Sequence, residues 1–155
     1  MYWLFKSEPT TFSIDDLAKC PHQTEHWDGV RNYQVRNMLR DQIKKGDLAF
    51  FYHSSCTPPG IAGIIEIVKE RYPDFNAWNP TSTYFDVKST PANPRWFMVD
   101  VKLVKKFPHL VTLSEIKCHA TLKHMLINRK GNRLSITPVT KEEWDVINKM
   151  VMIRL

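Results

Sequence analysis

The chain is expected to fold as an α+β protein, a small, curled, mostly antiparallel sheet with short helices around it. Two observations lead there. Five short stretches, at 2–6, 48–53, 61–69, 96–104 and 133–136, are apolar or alternate apolar with polar residues at the strand period. Between them, Ser13, Thr112 and Thr140 are each followed three residues later by an acid, the mark of a helix start. Strands interleaved with short helices pack as layers on one core. At 155 residues the chain is expected to be one domain, 1–155, able to bury a core without staples.

Taken in order, Tyr2 to Lys6 is aromatic and apolar and opens as a strand. Ser13 with Asp16 caps a short helix running to residue 19. Asp28-Gly29 is a turn, with Asp28 placed to cap a helix expected over 30–44. Val35, Met38, Leu39 and Ile43 give that helix its buried face. Gly46-Asp47 turns into the 48–53 strand, and Pro58-Pro59-Gly60 joins that strand to 61–69 as a long hairpin. Residues 72–94, rich in Pro, Asn, Ser and Thr, read as a long ordered loop, a feature that in a compact domain is usually functional. The 96–104 strand is central, with Trp96, Met98 and Asp100 to one side and Phe97, Val99 and Val101 to the other. Thr112 and Glu115 box a short helix, a weaker helix follows over 121–126, and a short strand covers 133–136. Thr140 and Glu143 then open a closing helix whose face carries Trp144, Ile147 and Val151.

Composition narrows the class. With 43% hydrophobic and 25% charged residues the chain is ordinary for a globular protein. The start, MYWLFKSEP, is interrupted at once by Lys6 and Glu8, unlike a signal peptide, and no apolar run is long enough to span a membrane. A soluble protein is expected, cytoplasmic or, in a eukaryote, nuclear. Cys20, Cys56 and Cys118 are odd in number and lack CxxC spacing, so neither a disulfide framework nor a metal site is expected. No cofactor is expected either. The net charge of +6 favours an anionic partner, and the clusters Lys102, Lys105, Lys106 and Arg129, Lys130, Arg133 point to a polyanion.

The segment EHWDGVRNYQVRN, residues 25–37, carries the densest polar chemistry. On a helical wheel of about 3.6 residues per turn, Arg31 and Asn32 fall on the side of Val35, Met38 and Leu39, while Asn37 and Arg40 point away. Inward guanidinium and amide groups are costly unless paired. Either they knit to buried acceptors, with Trp27 as core, or they face a polar cavity at the helix start, with Trp27 offering a flat face. The residues alone leave both readings open. Lys6-Ser7-Glu8, Tyr52-His53-Ser54 and Ser135, Thr137 and Pro138 are placed to join such a cavity.

The stretches YWLFKSEP, WDGVRNYQVRN, GDLAFFYHSS with PGIAG, YPD, PRWFMVDV and RLSITPVT, in that order over nearly the whole chain, resemble the EVE domain family. These are PUA-like folds related to YTH and ASCH domains. Val35 stands where alanine is expected, and Ile136-Thr137 where valine and glutamine are common. The resemblance implies a PUA-like small β-barrel flanked by short helices, and a non-enzymatic role in reading a modified nucleobase in DNA or RNA. Carried over by position, the base pocket is Ser7, Trp27, Val30, Arg31, Asn32, Tyr52, His53, Ser54 and Ser135. Lys6, Arg36, Arg129, Lys130 and Arg133 would contact phosphates. In this scheme Trp27 stacks, Asn32, Ser7 and Ser135 read the base edge, and Arg31 meets a phosphate or carbonyl. An alternative is a small amidohydrolase or nucleoside-processing enzyme using Lys6 with Glu8, or His53 with Glu8, as base and acid. A small-molecule sensor would use the same pocket without a nucleic acid.

Overall fold

A computed structural model describes residues 1–153. Six strands, β1 (Tyr2–Ser7), β2 (Thr24–Trp27), β3 (Leu48–His53), β4 (Gly60–Pro73), β5 (Phe97–Thr112) and β6 (Ile136–Val139), form one sheet in the order β2-β5-β4-β3-β1-β6. Among the described residues only the β1–β3 pair is parallel. Four helices flank the sheet: α1 (Ile14–Lys19), α2 (Tyr33–Asp41), α3 (Leu113–Cys118) and α4 (Lys141–Ile153). The expected α+β, PUA-like arrangement is what forms. Its curl stops short of closure, and β2 and β6 are the two edges.

Side-chain alternation explains the layering. Trp3 and Phe5 of β1 and Ala49 and Phe51 of β3 enter one core cluster with Ile14 and Leu17 of α1 and Val35, Met38 and Leu39 of α2. Leu4, Phe50 and Tyr52 enter the other, with Ile116 of α3 and Trp144, Ile147 and Val151 of α4. Both faces of β1 and β3 are thus buried, which is why these strands read as continuous apolar runs. The parallel pair needs a crossover, and α1, β2 and α2 supply it.

All three boxed helix starts form. The Ser13 hydroxyl accepts from Asp16 N–H at 3.1 Å while Ser13 N–H donates to the Asp16 carboxylate at 2.8 Å. Thr112 with Glu115 and Thr140 with Glu143 repeat the exchange.

Several boundaries differ from expectation. β2 is an additional strand, disguised by the polar Glu25 and His26 and by its four residues. β5 runs on to Thr112 past Lys105, Lys106 and Pro108, because the register jumps from Ile61↔Val111 to Gly63↔Lys106 and the proline falls in the bulge. β6 starts at Ile136 rather than ending there; its Pro138 lies opposite Trp3 on an edge strand, where no ladder donor is needed. The 121–126 helix is replaced by 3₁₀ turns at Ala120–Leu122 and Leu126–Asn128. Among the described residues no helix is long and apolar enough to cross a membrane.

At Gly63 a Cβ would run into the Lys105 carbonyl and the Ile14 side chain, so this bulged crossing of β4 and β5 under α1 admits only glycine. Gly63→Ala is expected to lower the unfolding free energy by about 1–3 kcal/mol, read from urea melts; an unchanged midpoint would contradict the close approach.

Candidate functional site

The open seam of the sheet holds a cleft. Trp27, the last residue of β2, packs edge-on against Phe5 at 5.3 Å, Phe51 at 5.5 Å and Phe12 at 6.3 Å, drawing one sheet edge over towards β1. On the far side Lys6 N–H donates to Ser135 O at 2.8 Å, carrying the β1–β6 ladder one step further. Between these edges lies a cleft of about 610 Å³, within the usual range for ligand sites. The end of β1 gives it Lys6 and Ser7, followed by Glu8, Thr11 and Phe12; β2 gives Glu25, His26 and Trp27. Asp28 to Arg31, Tyr84 and Ser135 complete the lining.

The 28–32 turn is braced by the long loop. Asp74 is fully buried. Its Oδ2 accepts from Gly29 N–H at 2.9 Å and from Arg31 Nη1 at 3.1 Å, and its Oδ1 from Asn76 N–H at 2.9 Å. Arg31 Nε and Nη2 donate to the Tyr84 carbonyl at 3.1 and 2.6 Å, and Nη1 also donates to Val30 O at 2.8 Å. The guanidinium lies 5.4 Å from the Tyr84 ring and 5.3 Å from the Trp96 ring. Gly29 has φ +79°, and a Cβ there would lie 2.5 Å from Tyr84, so the glycine lets the tyrosine ring close down as a cleft wall. Both readings of the helix start therefore hold in part. Arg31 is knit to protein acceptors, and a cleft remains beside it.

Of the residues singled out as a base pocket, Ser7, Trp27, Val30, Arg31 and Ser135 line this cleft. Asn32 does not. The helix begins at Tyr33, not at residue 30, and Asn32 is its exposed N-cap, accepting from Val35 N–H at 3.0 Å. A wheel drawn through residues that are not helical turned it inward. Asp28, expected as a cap, instead accepts from Asn76 Nδ2 at 2.6 Å. Tyr52 points into the second core, where burial pushes its hydroxyl up to about 12. His53 accepts from Ile14 N–H at 3.1 Å and sits edge-on to Phe51, with burial holding its imidazole below the ordinary value. Ser54 donates its N–H to Ser7 O at 2.9 Å. These three share the β3 end with no place in the cleft lining.

The residues expected at phosphates are dispersed. Lys6 lines the cleft, half-buried, and burial lowers its ammonium pKa. Arg36 donates to Asn37 Oδ1 and Arg95 O and covers the Tyr33 ring at 4.9 Å. Arg129 and Lys130 line a second groove of about 330 Å³, and Arg133 is exposed beside it in sequence. Among the described residues no group of three or more His, Cys, Asp or Glu could hold a metal ion.

Thr11, Phe12, Glu25, His26, Asp28, Gly29 and Tyr84 were not singled out from the sequence as cleft residues. Glu25 and His26 belong to the unforeseen strand, and Tyr84 arrives from a loop with no local pattern.

Three carboxylates, Glu8, Glu25 and Asp28, face the cleft. His26 Nδ1 lies 2.8 Å from Glu25 and its Nε2 3.9 Å from Asp28. Burial, reinforced by the Asp74 charge, raises the Asp28 pKa, against the opposing pull of His26 and the Asn76 hydrogen bond. The cleft thus combines flat walls at Trp27 and Tyr84, acceptors at the carboxylates and a cationic donor at Lys6. Such a set suits a flat heterocycle that presents an amino group.

Asp28→Asn tests this wall. A folded-state pKa raised above the ordinary 3.8 means the charged form costs stability above the raised value, and that cost vanishes once pH falls below 3.8. The variant is expected to raise Tm at pH 7, with the gain shrinking as the medium is acidified towards pH 4; an equal or lower Tm at pH 7 would contradict the assignment. Asn32→Ala removes only a helix cap and should cost about 1 kcal/mol of stability in chemical denaturation, leaving ligand selectivity intact.

Comparison with known proteins follows the same lines. A family model described as EVE domain matches residues 1–150. Thymocyte nuclear protein 1 from chicken (Gallus gallus) is 45% identical over 94% of this chain, which spans 66% of that protein's length. The human protein of the same name is 44% identical over 94% of this chain and 72% of its own length. A crystal structure of a Pseudomonas putida protein superposes with TM-score 0.92 at 48% identity, covering 97% of this chain and 99% of that one. The crystal structure of human thymocyte nuclear protein 1 in complex with 5-methylcytosine-containing DNA gives TM-score 0.91 at 43% identity, covering 97% of this chain and 96% of that one.

Proposed function

Because the chain belongs to the EVE domain family, we propose that it is a non-enzymatic nucleic-acid-binding protein that captures a modified base of the 5-methylcytosine class in the seam cleft. The observation that carries this reading is the cleft itself, with flat walls and carboxylate acceptors in a relative of a protein crystallised on 5-methylcytosine-containing DNA. The base leaves its stack and enters with its ring against Tyr84 and the rim of Trp27. The exocyclic amine of a cytosine donates to a carboxylate, for which Asp28 and Glu25 stand on the lining, and the Lys6 ammonium serves the ring carbonyl. The 4-keto oxygen of a thymine or uracil would instead meet those carboxylates acceptor to acceptor. Phe12 and Val30 supply apolar surface for a methyl group.

Magnitudes decide what the cleft does alone. Extruding a base costs a few kcal/mol, one stack returns about 1–3 kcal/mol and one good edge pair about 1–3 kcal/mol. Capture alone nearly breaks even, so the rest of the affinity comes from phosphates. Of the hydrolytic pairs weighed above, His53 with Glu8 is not assembled, since His53 is held at the start of α1. A protein with this role works where nucleic acid is, in the cytoplasm or, in a eukaryote, the nucleus.

Binding to DNA oligonucleotides that differ at one position measures the proposal. 5-Methylcytosine is expected to bind more tightly than cytosine, and thymine about tenfold or more below 5-methylcytosine, the worth of one edge pair. Equal affinity for thymine would overturn the assignment of the carboxylate wall.

A further inference from the structure

The second groove is lined by residues that follow or precede seam-cleft residues in sequence. Ser135 lines the seam cleft, and its neighbour Leu134 lines the groove. Arg31 lines the seam cleft, and Gln34 and Met38, on the helix that follows it, line the groove. At about 1.5 Å per residue, Tyr33 to Met38 spans roughly 8 Å of helix axis, a distance a polynucleotide covers in one or two nucleotides. The opposite wall is the 126–134 loop, shaped by Asn132, whose side chain donates to Leu126 O at 2.8 Å and accepts from Leu134 N–H at 3.0 Å.

Charge separates the two spaces. The seam cleft presents Glu8, Glu25 and Asp28 against Lys6 and Arg31, and Arg31 is already spent on Asp74 and Tyr84. A phosphate has little to gain there. The groove has Arg129 and Lys130 on its lining and no acid. From residue 116 to residue 141 the sequence contains Lys117, Lys123, Arg129, Lys130, Arg133 and Lys141 and no Asp or Glu. Among the described residues the side chains of Arg129, Lys130 and Arg133 have no ion-pair partner, whereas Arg40, Lys106 and Lys141 are each matched by an aspartate. The floor between the cations is apolar, at Met38, Leu126 and Leu134. A cationic rim over an apolar floor fits a sugar-phosphate strand whose sugar or base edge lies inward.

We propose that the groove between α2 and the 126–134 loop is the track for the DNA strand flanking the captured base, with Arg129 and Lys130 holding its phosphates. The inference rests on the seam cleft as the base site and adds the path by which the strand leaves it. Segregation of charge, with the free cations at the groove and the acids at the seam cleft, favours this path.

The test compares two probes on the intact protein: free 5-methyl-2′-deoxycytidine, which has no phosphate, and a DNA oligonucleotide with one 5-methylcytosine. In Arg129→Glu/Lys130→Glu the oligonucleotide is expected to bind about tenfold or more weakly at low salt, and the slope of log K against log salt to flatten by about 1.5, the loss of two phosphate contacts. Nucleoside affinity and Tm should be those of the unaltered protein, since both side chains are exposed. Arg129→Gln/Lys130→Gln should give a smaller loss in the same direction. Unchanged oligonucleotide affinity and slope in the Glu variant would overturn the track while leaving base capture standing. Failure of the unaltered protein to prefer 5-methylcytosine in either probe would overturn both.

Discussion

One buried carboxylate, Asp74, organises the end of the protein that holds the seam cleft. Asp74 has no contact with water and must be matched by the protein itself. Its three acceptor bonds go to Gly29, Arg31 and Asn76, so a single side chain joins the turn after β2 to the start of the long loop. Arg31, held there, reaches forward to the Tyr84 carbonyl and ties down the middle of the same loop. Trp96 at the loop's far end returns a carbonyl to the Asp74 N–H. A stretch without a named strand of its own is thereby tied down as one wall of the cleft.

The second constraint is the unclosed sheet. A strand edge leaves backbone groups unpaired and open to a partner, and proteins cover or occupy such edges. Here the curl brings β2 over the end of β1 through Trp27 packing on Phe5 and Phe51, but β2 and β6 are not joined. The space left between them is lined by strand ends and turns, with Trp27, Val30 and Phe12 belonging to the first core or packed against it and the polar groups standing at its margin.

How much of this was legible beforehand follows from how local each signal is. Helix starts at Ser13, Thr112 and Thr140 depend on two residues three apart and were read correctly, as were β1, β3 and the hairpin of β3 with β4. Ser7, Trp27, Val30, Arg31 and Ser135 gather in one cleft, and all five lie within the stretches that resemble the family. Tyr52 and His53 lie beside Lys6 and Ser7 in the parallel register, but the second core takes the Tyr52 side chain and the start of α1 holds His53. Asn32 lies off the cleft lining for a different reason: α2 begins at Tyr33, so Asn32 is its N-cap and the apolar periodicity of the helix does not reach back to it. Tyr84 carries no local signal, since distant residues place it: Arg31 binds its carbonyl and Gly29 leaves room for its ring.

The placement of β1 has a consequence for how the protein comes into being. This first strand lies between β3 and β6, and the backbone link from Lys6 to Ser135 spans nearly the whole chain. Pairings so distant in sequence form late, after the loop between them has been closed. On the ribosome, a growing polypeptide that already displays Trp27, Arg31 and Asp74 still lacks one side of this cleft until Ser135 has emerged. The cleft is thus completed only by chain made long after its other walls, and a product terminated before Ser135 would lack that side of it.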